Sequence, residues 1–282
     1  MAYRIARHED LAAGLIRLLR RDLGRALDDV RSAGGRPRRI HKVRQRLKRM
    51  RTILRTLEPV FGDRAVAARR SLTDAARLLA RARDADVAAA SARVLAGSTA
   101  DAGLGFAGVA DKLDIEAAEA HAARTPIATV VNRLAEADAT IARFDPGFDG
   151  DTVLAAALRK AYARGRSAMT AAEGSLAAPD FHAWRKAVKD LWHLLVVAQA
   201  RLPKMRKRRD RLDRLGEILG LDNDHAALAE KLALSPDADL ALMSRLAVIT
   251  NRRRALEAEA FDLGRRLYRR KPKAFARRTA LR

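Results

Sequence analysis

The sequence predicts an all-α protein of two four-helix-type bundles, built by internal duplication. Three observations carry this. Ala, Leu, Arg and Glu dominate, and all are good helix formers. Aromatic residues are only 4% of the chain, β-branched residues are sparse, and no period-two alternation marks a strand. Finally, the triplet His41, Arg44, Lys48 (H-x-x-R-x-x-x-K) returns as His182, Arg185, Lys189, displaced by 141 residues in a chain of 282.

Helices are expected at residues 8–32, 37–58, 63–96, 110–124 and 126–144 in the first half. The second half should hold helices at 150–175, 180–202, 204–220, 223–233 and 238–269. Gly34-Gly35 should end the first helix, and Pro37 suits the first turn of the next. Pro59 and Gly62 should part the second from the third. The Gly- and Ala-rich run from Gly97 to Gly108 reads as a loop. Asp145-Pro146-Gly147 marks the junction, giving units at 1–147 and 148–282. The linker Asp145–Gly150 is short, so the halves should pack together. Asp180 is a candidate N-cap for the second His helix. Pro203 and Pro236 punctuate the later helices, and the basic tail beyond Pro272 should be loosely held.

The duplication extends past the His motif. Leu79-Ala80-x-x-Arg83-Asp84 aligns with Leu219-Gly220-x-x-Asn223-Asp224 at a displacement of 140. Arg17 and Arg21 align with Lys160 and Arg164 at a displacement of 143. Three near-equal displacements in matching order point to one cationic device carried twice.

The 57 Lys plus Arg against 34 Asp plus Glu give a net charge of +23 and a pI near 11.4. Such an excess attracts nucleic acid, anionic membrane or another polyanion. Hydrophobic residues reach 49%, so this is a folded chain and not a disordered basic tail. Arg outnumbers Lys about fourfold, and its planar fork grips phosphate oxygens more specifically than an ammonium does. With no cysteine, disulfides, thiolate chemistry and Cys-based zinc sites are excluded. No apolar run is long enough to span a membrane, and MAYRIARHED lacks the character of a signal peptide. Cytoplasmic residence is the default expectation.

On a helix over 37–58, His41, Arg44, Lys48, Arg51 and Arg55 share one narrow stripe, about 20 Å long. Val43, Leu47, Met50 and Leu54 form the adjacent apolar face, so the stripe borders the core. Crowded like charges cost a few tenths of a kcal/mol per pair, roughly, unless carboxylates or a bound anion answer them. No carboxylate lies in this helix before Glu58. In the second copy Trp192 and Val196 replace Arg51 and Arg55, while Lys186 and His193 flank the stripe. Asp84 and Asp224 should accept hydrogen bonds from the His or Arg of the stripe and hold it in place. Neither His has a companion cluster of metal-ligand spacing, so phosphate contact is favoured over metal binding. Lys207, Arg208 and Arg211, in the run Lys204–Arg214, are candidates to extend the anion path, as are Arg252–Arg254 and Arg265–Lys273.

The segments I-H-K-V-R-Q-R-L-K-R-M-R at 40–51 and F-H-A-W-R-K-A-V-K-D-L at 181–191 resemble the CHAD domain. L-L-A-R-A-R-D-A-D-V at 78–87 and L-G-L-D-N-D at 219–224 add to the likeness. The resemblance implies bundles related by pseudo-twofold symmetry around a basic groove or pore that binds inorganic polyphosphate, and association with polyphosphate granules. It places His41, Arg44, Lys48, His182, Arg185 and Lys189 against the polymer. Trp192-His193 departs from the Arg-Tyr often found there. Some relatives carry a triphosphate tunnel enzyme, but this chain has no E-x-E-x-K motif and no strand-rich segment.

The leading expectation is therefore a non-enzymatic polyphosphate-binding module. Sparse aromatics argue against binding single strands by base stacking. A helical nucleic-acid-binding protein is the alternative, although no helix-turn-helix, zinc finger, RNP or basic-zipper pattern is present. An enzyme acting on polyphosphate would want carboxylates holding a metal, or a Gly-rich phosphate loop, and neither is apparent.

Overall fold

The computed structural model describes residues 3–32, 37–98, 104–122, 126–234 and 240–279. The expected break at Gly34-Gly35, residues 99–103 of the expected loop, and Pro236 lie outside them, as does the side chain of Arg83. The described residues are all-α, with eleven helices: α1 (Leu11–Arg31), α2 (Pro37–Phe61), α3 (Asp63–Leu78), α4 (Arg81–Ala96), α5 (Phe106–Ala122), α6 (Ile127–Ile141), α7 (Gly150–Ser175), α8 (Ala178–Val197), α9 (Arg206–Ala233), α10 (Leu240–Tyr268) and α11 (Pro272–Arg278).

Four helices close a ring: α1 packs on α2 and α6, and α3 packs on the same two. A second ring follows the same plan, with α7 and α9 each packed on α8 and α10. The rings meet where α1 and α2 touch α7, and where α2 touches α8. One apolar core runs through both, including Leu15, Leu47, Leu72 and Leu134 on one side and Leu158, Trp184, Leu215 and Phe261 on the other. The hairpin of α4 and α5 stands apart. It shares a smaller core with α9 and α10, centred on Ala92, Phe106, Leu228 and Ile249.

The boundaries obey local chemistry. Asp10 caps α1 by accepting from the Ala13 N–H at 2.8 Å, and Asp149 caps α7 through the Thr152 N–H at 3.0 Å. Ile5 is fully buried beside Gly14, and its N–H donates to the Val197 carbonyl at 3.0 Å. This ties the start of the chain to α8.

The structure corrects five sequence expectations. The helix expected over 63–96 breaks at Leu79-Ala80, without a glycine or proline, because α3 faces the main core and α4 the smaller one. The helices expected at 204–220 and 223–233 are one, α9. Pro59 lies inside the last turn of α2, and the turn falls at Gly62, whose φ of 51° is in the left-handed region. Asp180 is not the N-cap of α8. Ala177 holds that place, and Asp180 sits in the first turn, accepting from Ser175 Oγ at 2.5 Å. The segment after Pro272 is not loose: α11 packs on α7, and Phe275 stacks on Tyr162 with centroids 4.1 Å apart.

Candidate functional site

The two His helices, α2 and α8, converge with α7 on a single carboxylate. Asp190 of α8 accepts from Thr52 Oγ1 of α2 at 2.8 Å, pairs with Arg55 of α2, and lies 3.2 Å from Arg164 of α7. Burial and the nearby Arg55 lower the Arg164 pKa, against the pull of Asp190. Three helices from both rings thus meet through charge-assisted hydrogen bonds.

One turn along α2, Arg51 is in a different position. Its guanidinium is half-buried, and no hydrogen bond or ion pair with a described residue satisfies it. Burial depresses its pKa, and so do the cations Arg55, Arg44 and Arg69, with Asp190 pulling the other way. Arg69 is itself held by Glu58 at 2.6 Å, and Arg44 donates to the Ala76 carbonyl at 2.9 Å. Lys48 is exposed and lies near enough to His182 and His193 to disfavour protonation of both.

On α8 the cations lie along α9 as along a rail. The rail residues are Asp213, Gly216, Gly220 and Asn223, spaced three and four apart and so on one face. Lys189 crosses Gly216, donates to Asp213 Oδ1 at 3.0 Å, and has its ammonium 4.9 Å from the Trp192 ring centre. Arg185 lies over Gly220. His182 donates from Nδ1 to Asn223 Oδ1, which leaves Nε2 without the proton. Its pKa is lowered, first by burial and then by Lys186, Arg185 and Lys48, against the raising effect of Asn223. Lys186 is exposed beside it. His41, by contrast, is exposed and meets Gln45 one turn away at 2.8 Å.

The other candidates are scattered. Arg17 makes a two-pronged ion pair with Glu9 on the surface, and Arg21 sits 3.5 Å from the buried Asp22. Lys160, Lys207 and Arg211 are exposed. Arg208 is used within the fold: it donates to the Leu267 carbonyl at 2.9 Å and covers the rings of Tyr162 and Phe275. Asn223, not Asp224, holds His182, and Asp84 is exposed. The sequence reading missed Asp190, Thr52 and the rail glycines. Asp190 is the one carboxylate within the quoted segment 181–191, directly after Lys189, and that was the available signal of an answering charge. Among the described residues no group of three or more His, Asp or Glu side chains is placed to hold a metal ion, and no helix is long and apolar enough to cross a membrane.

A family model described as the CHAD domain matches residues 14–233, most of the chain. The chain belongs to the CHAD family. The fold of this CHAD chain is similar to the crystal structure of the CHAD domain from the plant Ricinus communis, with a TM-score of 0.67 over 96% of each chain and 18% identity. No curated protein matches the chain.

Proposed function

We propose that this CHAD chain binds inorganic polyphosphate, without transforming it, in a basic groove lined by α2 and α8. The observation that carries the reading is Arg51: a half-buried guanidinium, pressed by three other arginines and without an ion pair among the described residues. Such a desolvated cation is costly, and an anion relieves it. A chain of phosphates supplies oxygens and charge at short intervals, which suits a row of cations. Lys48, Arg55, Arg164, Arg185, Lys186 and Lys189 would share the polymer with Arg51. Trp192 supports this over base recognition, since its ring is engaged by Lys189 and is not an open stacking platform.

The duplicated construction draws support from a pair of reciprocal contacts. The 141-residue displacement maps Thr52 onto His193 and Arg49 onto Asp190. Thr52 bonds Asp190, and Arg49 lies close to His193, as a twofold-related pair of contacts requires. Granule association belongs to the same reading, because a granule is a concentrated form of the same ligand.

Titration against polyphosphates of defined length, with duplex DNA as competitor, tests the proposal. Polyphosphate should displace DNA at far lower phosphate-equivalent concentration than the reverse, and salt should weaken binding steeply. The double variant Lys48→Glu, Lys186→Glu should lose roughly tenfold or more in affinity while keeping its helical circular dichroism. Equal competition by DNA would move the chain to nucleic-acid binding. Release of orthophosphate in the presence of magnesium would make it an enzyme.

A further inference from the structure

Asp190 is an oddity in a site for anions: a negative charge set among the cations that would hold phosphate. Its side chain joins α8 to both α2 and α7, through Thr52, Arg55 and Arg164. Only 17% of its side chain is exposed, so its charge acts in a poorly screened place. Arg55 and Arg164 lie close enough to repel one another, and both pair with this carboxylate.

We propose that Asp190 is a positioning residue for polyanion binding: its carboxylate fixes Arg55 of α2 and Arg164 of α7 side by side, as a paired seat for neighbouring phosphates. This rests on the polyphosphate reading above. Fixing two arginines in advance removes the entropy cost of collecting them when ligand arrives. Without the carboxylate their mutual repulsion splays them toward solvent. Each guanidinium has five N–H donors, and Asp190 occupies only part of them, so outward-facing donors remain for the ligand. The proposal has a sign that simple electrostatics does not share. If Asp190 only repels phosphate, removing its charge tightens binding; if it positions the arginines, removal weakens binding.

The test is a titration of wild type, Asp190→Asn, Asp190→Glu and Thr52→Val with long-chain inorganic polyphosphate at several salt concentrations, alongside urea unfolding. Asp190→Asn should bind roughly tenfold more weakly, the scale of losing a charge-assisted hydrogen bond. Its plot of log affinity against log salt should flatten by about one to two units, as two phosphate contacts are lost. Asp190→Glu should restore part of both, and Thr52→Val, which leaves the charge in place, should weaken binding by about two- to threefold. A merely structural role would lower the unfolding midpoint and leave the salt slope of the folded fraction unchanged, which would overturn the proposal. Tighter binding by Asp190→Asn would also overturn it. Should that variant fail to fold, Thr52→Val decides: unaltered affinity and slope there reject positioning. Failure of wild type itself to bind polyphosphate would reject the functional reading instead.

Discussion

Lys189 of α8 lies directly across Gly216 of α9, where a β-carbon would stand 2.6 Å from the lysine Cε. The glycine gives the lysine its track to Asp213. Gly216→Ala should force this flexible side chain aside while gaining up to about 1 kcal/mol of helix propensity. Stability should therefore change little, and polyphosphate affinity should fall. Gly264→Ala is the contrast. Its β-carbon would meet the buried Trp184 ring at 2.6 Å, so it should lose about 1–3 kcal/mol by overpacking. Urea denaturation and polyphosphate titration of both variants check the pair. A strongly destabilised Gly216→Ala would show that Lys189 cannot yield.

Arg51→Met keeps the aliphatic bulk of a half-buried side chain and removes its charge. The unliganded protein should become more stable, by about 1 kcal/mol or more, because a desolvated and repelled cation is gone. Polyphosphate affinity should drop at the same time. Thermal unfolding with and without ligand reads both effects. A variant less stable than wild type would mean that an attraction to Asp190 dominates at Arg51.

His193 is held neutral, its pKa pushed to about 3 by burial and then by Arg49, Lys189 and Lys48. The unfolded chain restores the ordinary value of 6.5. Between these values the unfolded state binds the extra proton, so stability is intact above about pH 6.5 and declines toward pH 3. His182, also lowered, acts in the same direction. His193→Gln removes one titration, so wild type should lose ground to this variant steadily as the solution is acidified. A difference in urea midpoint that stays constant from pH 7 to pH 4 would contradict the buried neutral ring.

Arg208→Ala removes a carbonyl hydrogen bond and the cover over Tyr162 and Phe275. We expect a loss of about 1–3 kcal/mol in stability, with polyphosphate affinity unchanged in the folded fraction. Reduced affinity there would return Arg208 to the binding surface.

The helical class and most helices were legible because Ala, Leu and Arg set both propensity and periodicity. The apolar face of Val43, Leu47, Met50 and Leu54 is fully buried, as its spacing on α2 required. What escaped were features decided at a distance. Leu79-Ala80 looks as helical as its neighbours, and only the separate destinations of α3 and α4 break the chain there. The helix expected to end at Gly220 runs on as α9, and the missing β-carbon there leaves room for Arg185 of α8. Asp190 carries no local sign that Thr52, Arg55 and Arg164 will reach it across the helix junction. Arg208 looked like its neighbours in a basic run, and only the aromatic pair beneath it sets it apart.

The bond from the Ile5 N–H to the Val197 carbonyl has a consequence for synthesis. Chains emerge from the ribosome amino end first and fold by units as they appear. Ile5 must wait until α8 has been made, so the earliest ordered residues are among the last to settle. A nascent chain stalled before α8 should leave this opening segment exposed to protease, and one released after α8 should shield it.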